Sequence, residues 1–303
     1  MKRFLATLPA CGLLCATPAW AHAHGDSGQL VSWTLDAWVL APLGFSVLVY
    51  GIGLARLRRR SREFWTHFRG SVAVFATGWL SLFVALVSPV HALGERSFSF
   101  HMVEHEIVMA VAAPLLVLAR PFGIALWAWP RHVRTIVRQV MRAVPVRTCW
   151  RWLTAPLNAT LAHGAAIWLW HWPGLFVAAV SHVAVHRLQH LCFLLTALLF
   201  WYSMLRCARS GEAVWHTFFT MLHTSLLGAL LALAPHPLYW EQASTALIWT
   251  LTPLEDQQLG GILMWVPAGT VYAASILIFA ARWIRDSGRA PRPGPRPKGE
   301  GLV

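Results

Sequence analysis

Charged side chains are scarce in this 303-residue chain. They make up 12% of it, with 12 Asp and Glu against 25 Lys and Arg, while 57% of residues are hydrophobic. A soluble globular domain carries about 25% charged residues, so that class is excluded and a polytopic membrane protein fits. Cysteine is scarce too. Of the five, Cys11 and Cys15 fall in the leader, Cys192 falls inside a predicted span, and Cys149 and Cys207 fall on the predicted cytoplasmic side. No CxxC occurs, which argues against a disulfide framework and a thiolate metal site. There is no internal repeat period, so a solenoid is excluded. The basic residues form no separate domain, which leaves no case for nucleic-acid binding.

What the chain does have begins with a secretory leader. Lys2 and Arg3 form a charged n-region, Phe4 to Ala16 an apolar h-region, and Ala19-Trp20-Ala21 a small-x-small cleavage site. Residues 1–21 are therefore expected to be a signal peptide and residues 22–37 an extracytoplasmic tail. Residues 38–284 are expected to form an all-α bundle of seven transmembrane helices, and residues 285–303 a disordered basic tail. A span needs roughly 20 apolar residues. The seven expected spans lie near Trp38–Leu57, Phe68–Pro89, His101–Ala119, Pro156–Trp172, His182–Leu205, Val214–Ala234 and Gln258–Trp283.

Orientation follows from charge. A cleaved leader leaves the new N-terminus outside. The loops Arg56–Arg69, Arg120–Arg151, Arg206–Arg209 and Arg282–Lys298 then face the cytoplasm and hold 21 of the 23 basic residues left after leader removal. Only Arg96 and Arg187 fall elsewhere. The expected location is a plasma membrane, with the C-terminus inside. Arg131–Arg151 reads as an amphipathic surface helix, with Arg131, Arg134, Arg138 and Arg142 opposite Val137, Val140 and Val144, lying on anionic lipid.

The histidines also have a side. In "HMVEHEIVMA", His101 and His105 stand i and i+4, so they share one helical face. In "SHVAVHRLQH", His182, His186 and His190 repeat that spacing. Both sets enter the membrane from outside and so reach similar depths. His171 ends the fourth span on that side, Asp256 opens the seventh, and Met264 lies eight residues into it. Imidazole is the commonest metal ligand and an i,i+4 pair is a bidentate clamp. Histidine with methionine suits copper best, and zinc accepts the same histidines. Glu104 either pairs with Arg96 or Arg187 in the headgroup region or orients a ligating imidazole. His223 falls near mid-membrane, with His163 and His216 further in. Cleavage after Ala21 would leave His22-Ala23-His24 first, where a free amine and the His24 imidazole can wrap square-planar Cu(II). That makes the tail up to Gln29 a candidate capture arm.

The segments "HMVEHEIVMAVAAPLLVLARP", "WLWHWPGLF", "HRLQHLCFLLTALLFW", "HTSLLGALLAL" and "DQQLGGILMWVPAG" resemble, in order, the signatures of the CtaG-like family of caa3-type cytochrome c oxidase assembly factors. The resemblance runs from about His91 to Trp283. It implies a seven-span plasma-membrane protein needed to mature a haem–copper oxidase, with a role in copper delivery. It carries over to His101, His105, His186, His190, His223 and Asp256. One departure is Glu104, where the family usually carries Gln. The resulting expectation is a non-enzymatic factor that binds copper and passes it to the catalytic subunit of the oxidase, with an extracytoplasmic copper donor as a further partner. Three rivals make different demands. A zinc protease would use His101, Glu104 and His105 as H-x-x-E-H, but needs a later Glu ligand, and Glu241 and Glu255 lie outside the spans. A haem-binding electron carrier would pair His105 with His186 or His190. A metal transporter would continue the path through His223, His163 and His216, but the spans show no clear inverted repeat.

Overall fold

The computed structural model describes residues 32–60, 64–240 and 250–288, and all the regular structure in them is helical. In chain order the helices are α1 (Ala37–Arg60), α2 (Phe64–Val87), α3 (Pro89–Gly94), α4 (Phe98–Ala119), α5 (Pro121–Ala125), α6 (Arg131–Arg142), α7 (Val144–Leu153), α8 (Pro156–Trp170), α9 (Pro173–Ser181), α10 (Val183–Cys207), α11 (Ser210–Ala232) and α12 (Pro253–Ser287). The signal-peptide expectation for residues 1–21, most of the tail after it, and residues 289–303 lie outside the described residues.

Six helices are long and apolar enough to cross a membrane: α1, the Phe68–Val87 part of α2, α4, α10, α11 and α12. They mark a multi-pass membrane protein. Large apolar side chains such as Phe45, Leu195, Leu226 and Leu277 stand exposed along them, which is stable where the solvent is itself apolar. The sequence expectation of seven spans is thus met for six. The fourth, expected over Pro156–Trp172, is a helix of 15 residues, about 22 Å long at 1.5 Å per residue. Pro156 starts it, and Pro173 starts a separate short helix three residues after it ends.

Two features of α4 and α10 place the histidines. The first is a widened turn in α4. Residues Ile107–Ala112 are π-helical, beginning two residues after His105. Pro114 explains it, since it has no N–H and its ring clashes with the preceding turn. The N–H of Ala113 donates to the Val108 carbonyl, and Pro114 has nothing to donate to Met109. The stranded Met109 carbonyl accepts instead from Trp201 Nε1 on α10 at 2.9 Å. A backbone defect in one span is thereby satisfied by a side chain of the next, and this fixes their mutual register.

The second feature is that α4 and α10 run in the same direction. Their N-terminal turns meet through the histidines. At the other end Arg206 donates to the carbonyls of Val117 and Leu118 at 3.2 Å. The helix α8 lies beside them in the reverse sense. Thr154, just before it, accepts from Ser203 near the end of α10 at 2.9 Å, while His171, just after it, faces His105 near the start of α4. On the other flank α11 and α12 pack backbone to backbone. A Cβ on Gly228 would come within 2.7 Å of the Gly261 carbonyl, and small residues at such crossings let spans approach closely.

The amphipathic segment splits in two. Ala143 is extended and Pro145 restarts the chain as α7. Neither α6 nor α7 contains a buried residue. Arg134 and Arg60 lie over the Trp127 ring at 4.3 and 5.7 Å.

Candidate metal centre

The first turn of α4 is set by a carboxylate from α12. Asp256 is buried and accepts from the backbone of Phe98 at 2.7 Å and Ser99 at 3.2 Å, and from the hydroxyls of Ser97 at 2.8 Å and Ser99 at 2.5 Å. An anion at a helix N-terminus meets both orphan N–H groups and the helix dipole. With His101 only two residues beyond Ser99, this anchorage fixes where the His101 side chain points.

Within the bundle α3, α4 and α10 bring together His91, His101, Glu104, His105, His186 and His190. His101, Glu104 and His105 are at most 1% exposed. Glu104 Oε1 lies 2.7 Å from His91 Nδ1 and 3.4 Å from His190 Nε2. His190 Nε2 is 2.8 Å from His186 Nε2. The His101 ring stacks on His186 at 5.3 Å, and His186 stacks on His91 at 5.4 Å. His105 meets His101 at 4.3 Å and His190 at 5.1 Å. Glu104 thus sits among imidazoles. Arg187, offered as its partner by the sequence, instead pairs with Asp36 at 2.8 Å.

The donor set is incompletely satisfied. Neither ring nitrogen of His105 has a hydrogen-bond partner, nor do Glu104 Oε2, His190 Nδ1 and His171 Nε2. Buried polar atoms are normally paired, and this many unpaired ones in one place make a donor set that could hold a metal ion. Two groups, His91–Glu104–His190 and His101–Glu104–His186, each offer three ligand atoms within 4.8 Å of one another. His91 lies outside the spans. Burial lowers its proton affinity, but Glu104 outweighs that by charge and hydrogen bond, so its pKa stands above the ordinary histidine value.

The structure therefore unites His101, His105, His186 and His190 and adds members that spacing did not mark. His91 comes from a short helix outside both HxxxH segments, and only the folding back of α3 onto α4 brings it in. His171 donates from Nδ1 to the Ile167 carbonyl at 2.6 Å, which leaves the lone pair on its free Nε2, and its ring lies 6.3 Å from His105. The other expected ligands stand elsewhere. Asp256 has its oxygens engaged at the start of α4. Met264 is buried in the apolar cluster with Phe98 and Met102. His223 accepts from Trp168 Nε1 at 3.3 Å on the α8–α11 seam. His22 and His24 lie outside the described residues. Of the carboxylates a protease would need, Glu255 is exposed and bonded to Thr252, and Glu241 lies outside the described residues.

The chain matches the family model described as cytochrome c oxidase caa3 assembly factor (Caa3_CtaG) over residues 48–286, most of its length. The chain belongs to that family. The matched span contains all six clustered residues and Asp256. Two further proteins are similar, one from Mycobacterium bovis and one from Mycobacterium tuberculosis, both described only as uncharacterized. Each is 24% identical over 283 residues, covering 86% of this chain and 40% of the relative. The chain thus spans less than half the length of those mycobacterial proteins. No solved structure matches.

Proposed function

We propose that this caa3 assembly factor holds a copper ion in the cluster at the N-terminal ends of α4 and α10 and passes it to the catalytic subunit of a haem–copper oxidase. The observation that carries the proposal is the concentration of unpartnered imidazole nitrogens around Glu104 in a chain of this family. Copper is cargo in this reading, bound by His101, His105, His186 and His190 with His91 and Glu104 beside them. The donor set is borderline to soft and mostly neutral, which suits copper and also zinc. A donor site within helices allows ligand exchange with an acceptor at similar depth, without a bare cation crossing hydrocarbon.

We also propose that α8 is a seventh, short span. Parallel α4 and α10 require the chain to recross between them, and the only helix between them that runs alongside α10 in the reverse sense is α8. The N-terminus is then outside, where the tail with His22 and His24 could capture copper, and the C-terminus is cytoplasmic.

The test is metal analysis of the purified protein. The wild type should carry about one copper per chain after loading. The double variant His105→Ala/His190→Ala should insert and purify normally but carry none. Copper at the wild-type ratio in that variant would overturn the assignment. A strong Soret band in the purified wild type would replace copper with haem.

A further inference from the structure

The cluster is less closed on one side than elsewhere. The Glu104 side chain, 0% exposed, leads through His91, 10% exposed, to Glu95, 52% exposed. Glu95 directly follows α3, and its N–H donates to the His91 carbonyl at 3.0 Å, so the two residues share a helical face. Glu95 Oε1 lies 3.9 Å from His91 Nε2. Gly94 lets α3 close on α4 here: a Cβ on it would come within 3.1 Å of Glu104 Oε2 and 3.3 Å of the His101 Cα. One imidazole thus has a buried carboxylate at one nitrogen and an exposed carboxylate at the other.

The buried carboxylate decides which His91 nitrogen a metal can use. Ionised carboxylates only accept hydrogen bonds, so the 2.7 Å contact with Glu104 puts a proton on His91 Nδ1. The lone pair open to a metal is then at Nε2, on the Glu95 side. An ion that arrives there displaces any proton on Nε2 to water at the exposed rim, while Nδ1 keeps its own. The next donor is close. The His91 ring stacks on part-exposed His186 at 5.4 Å, and His186 Nε2 lies 2.8 Å from His190 Nε2.

We infer that Glu95 and His91 form the port of the cluster, a two-ligand position through which a metal ion enters and leaves. The inference rests on the cluster being a metal site, as proposed above. Glu95 and His91 Nε2 take the ion at the surface, and His186 draws it inward to His190, His101 and His105. Glu104 stays on Nδ1 and holds the lone pair outward. One carboxylate oxygen and one imidazole make a weaker donor set for copper than several imidazoles, so the ion moves inward. A port sets rates rather than equilibrium, because what slows entry slows exit equally.

The test follows Cu(I) uptake by full-length protein in detergent from a chromogenic chelator, and Cu(I) release into an excess of a tighter one. Glu95→Gln, at an exposed position, should slow both by about tenfold, or about 1.4 kcal/mol on the barrier, and keep the wild-type copper content at equilibrium. His91→Asn keeps an N–H for Glu104 but has no atom in the place of Nε2. It should be slow as well, and adding Glu95→Gln to it should change nothing more. In about 1 M of a non-coordinating salt, where charge is screened beyond about 3 Å, the Glu95→Gln effect should persist. Wild-type rates in Glu95→Gln would overturn the inference. So would an effect lost in salt, which makes Glu95 a steering charge, or an equal further slowing in the His91→Asn background. A wild type that takes up no copper overturns the proposed function together with the port. Normal copper content with unchanged rates overturns the port alone.

Discussion

At the scale of single residues, Glu104 matters most. It is a buried carboxylate with one oxygen shared between His91 and His190 and the other unpartnered. Two overlapping groups that could hold a metal ion share it. Glu104→Gln keeps the shape and removes the anion. It should keep copper at one per chain while lowering its affinity by about 10- to 100-fold, the usual cost of losing a group that supports a ligand. Zn(II), which gains more from an anionic ligand, should lose at least as much. Titration against a chelator of known affinity measures both, and an affinity within threefold of wild type would show that the carboxylate neither ligates nor orients. The sequence pointed to Glu104 through its place between two histidines, but could not choose between Arg96, Arg187 and imidazole as its partner. That choice depended on Asp36, which takes Arg187 away.

At the scale of elements, α4 is the part on which the site depends. Its start is held by Asp256 and its middle by the Trp201 bond to the Met109 carbonyl. Asp256→Ala leaves two backbone N–H groups and two hydroxyls of the first turn without their acceptor. Each buried unsatisfied group costs about 1–3 kcal/mol, so a loss on the order of 3 kcal/mol or more is expected. It should appear as a lower Tm in detergent together with reduced copper content, because the turn carrying His101 is released. If Asp256 were instead a ligand, copper would fall while Tm stayed near the wild-type value. The paired i,i+4 spacing made the two histidine-bearing turns legible in sequence. The π-helical turn was not legible: Pro114 alone reads as a kink, and only the donor on α10 shows how the break is tolerated.

At the scale of the whole molecule, the number of crossings is the main question. Cys149 and Cys207 are both exposed, one before α8 and one at the end of α10. If α8 crosses, both lie on the cytoplasmic face. A membrane-impermeant maleimide should then label them in inverted vesicles and not in intact spheroplasts, with Cys149→Ser and Cys207→Ser identifying each site. If α8 does not cross, the two cysteines fall on opposite faces and the labelling splits. The proposed seventh span predicts the first outcome, which the basic loops also favour from charge alone.

The sequence by itself determined that this chain lives in a bilayer, which segments are long apolar helices, and that His101, His105, His186 and His190 could meet. Hydrophobicity and helical period are local properties, and these four histidines lie on two regular repeats. Only the tertiary structure decided that His91 joins them, that Asp256 is engaged at the start of α4, and that the segment expected as a fourth span is a 15-residue helix. It also decided that Trp168 donates to His223. These are meetings between residues tens of positions apart, or more than a hundred. They were settled by which buried donors and acceptors had to find partners once water was excluded, a condition that no local pattern records.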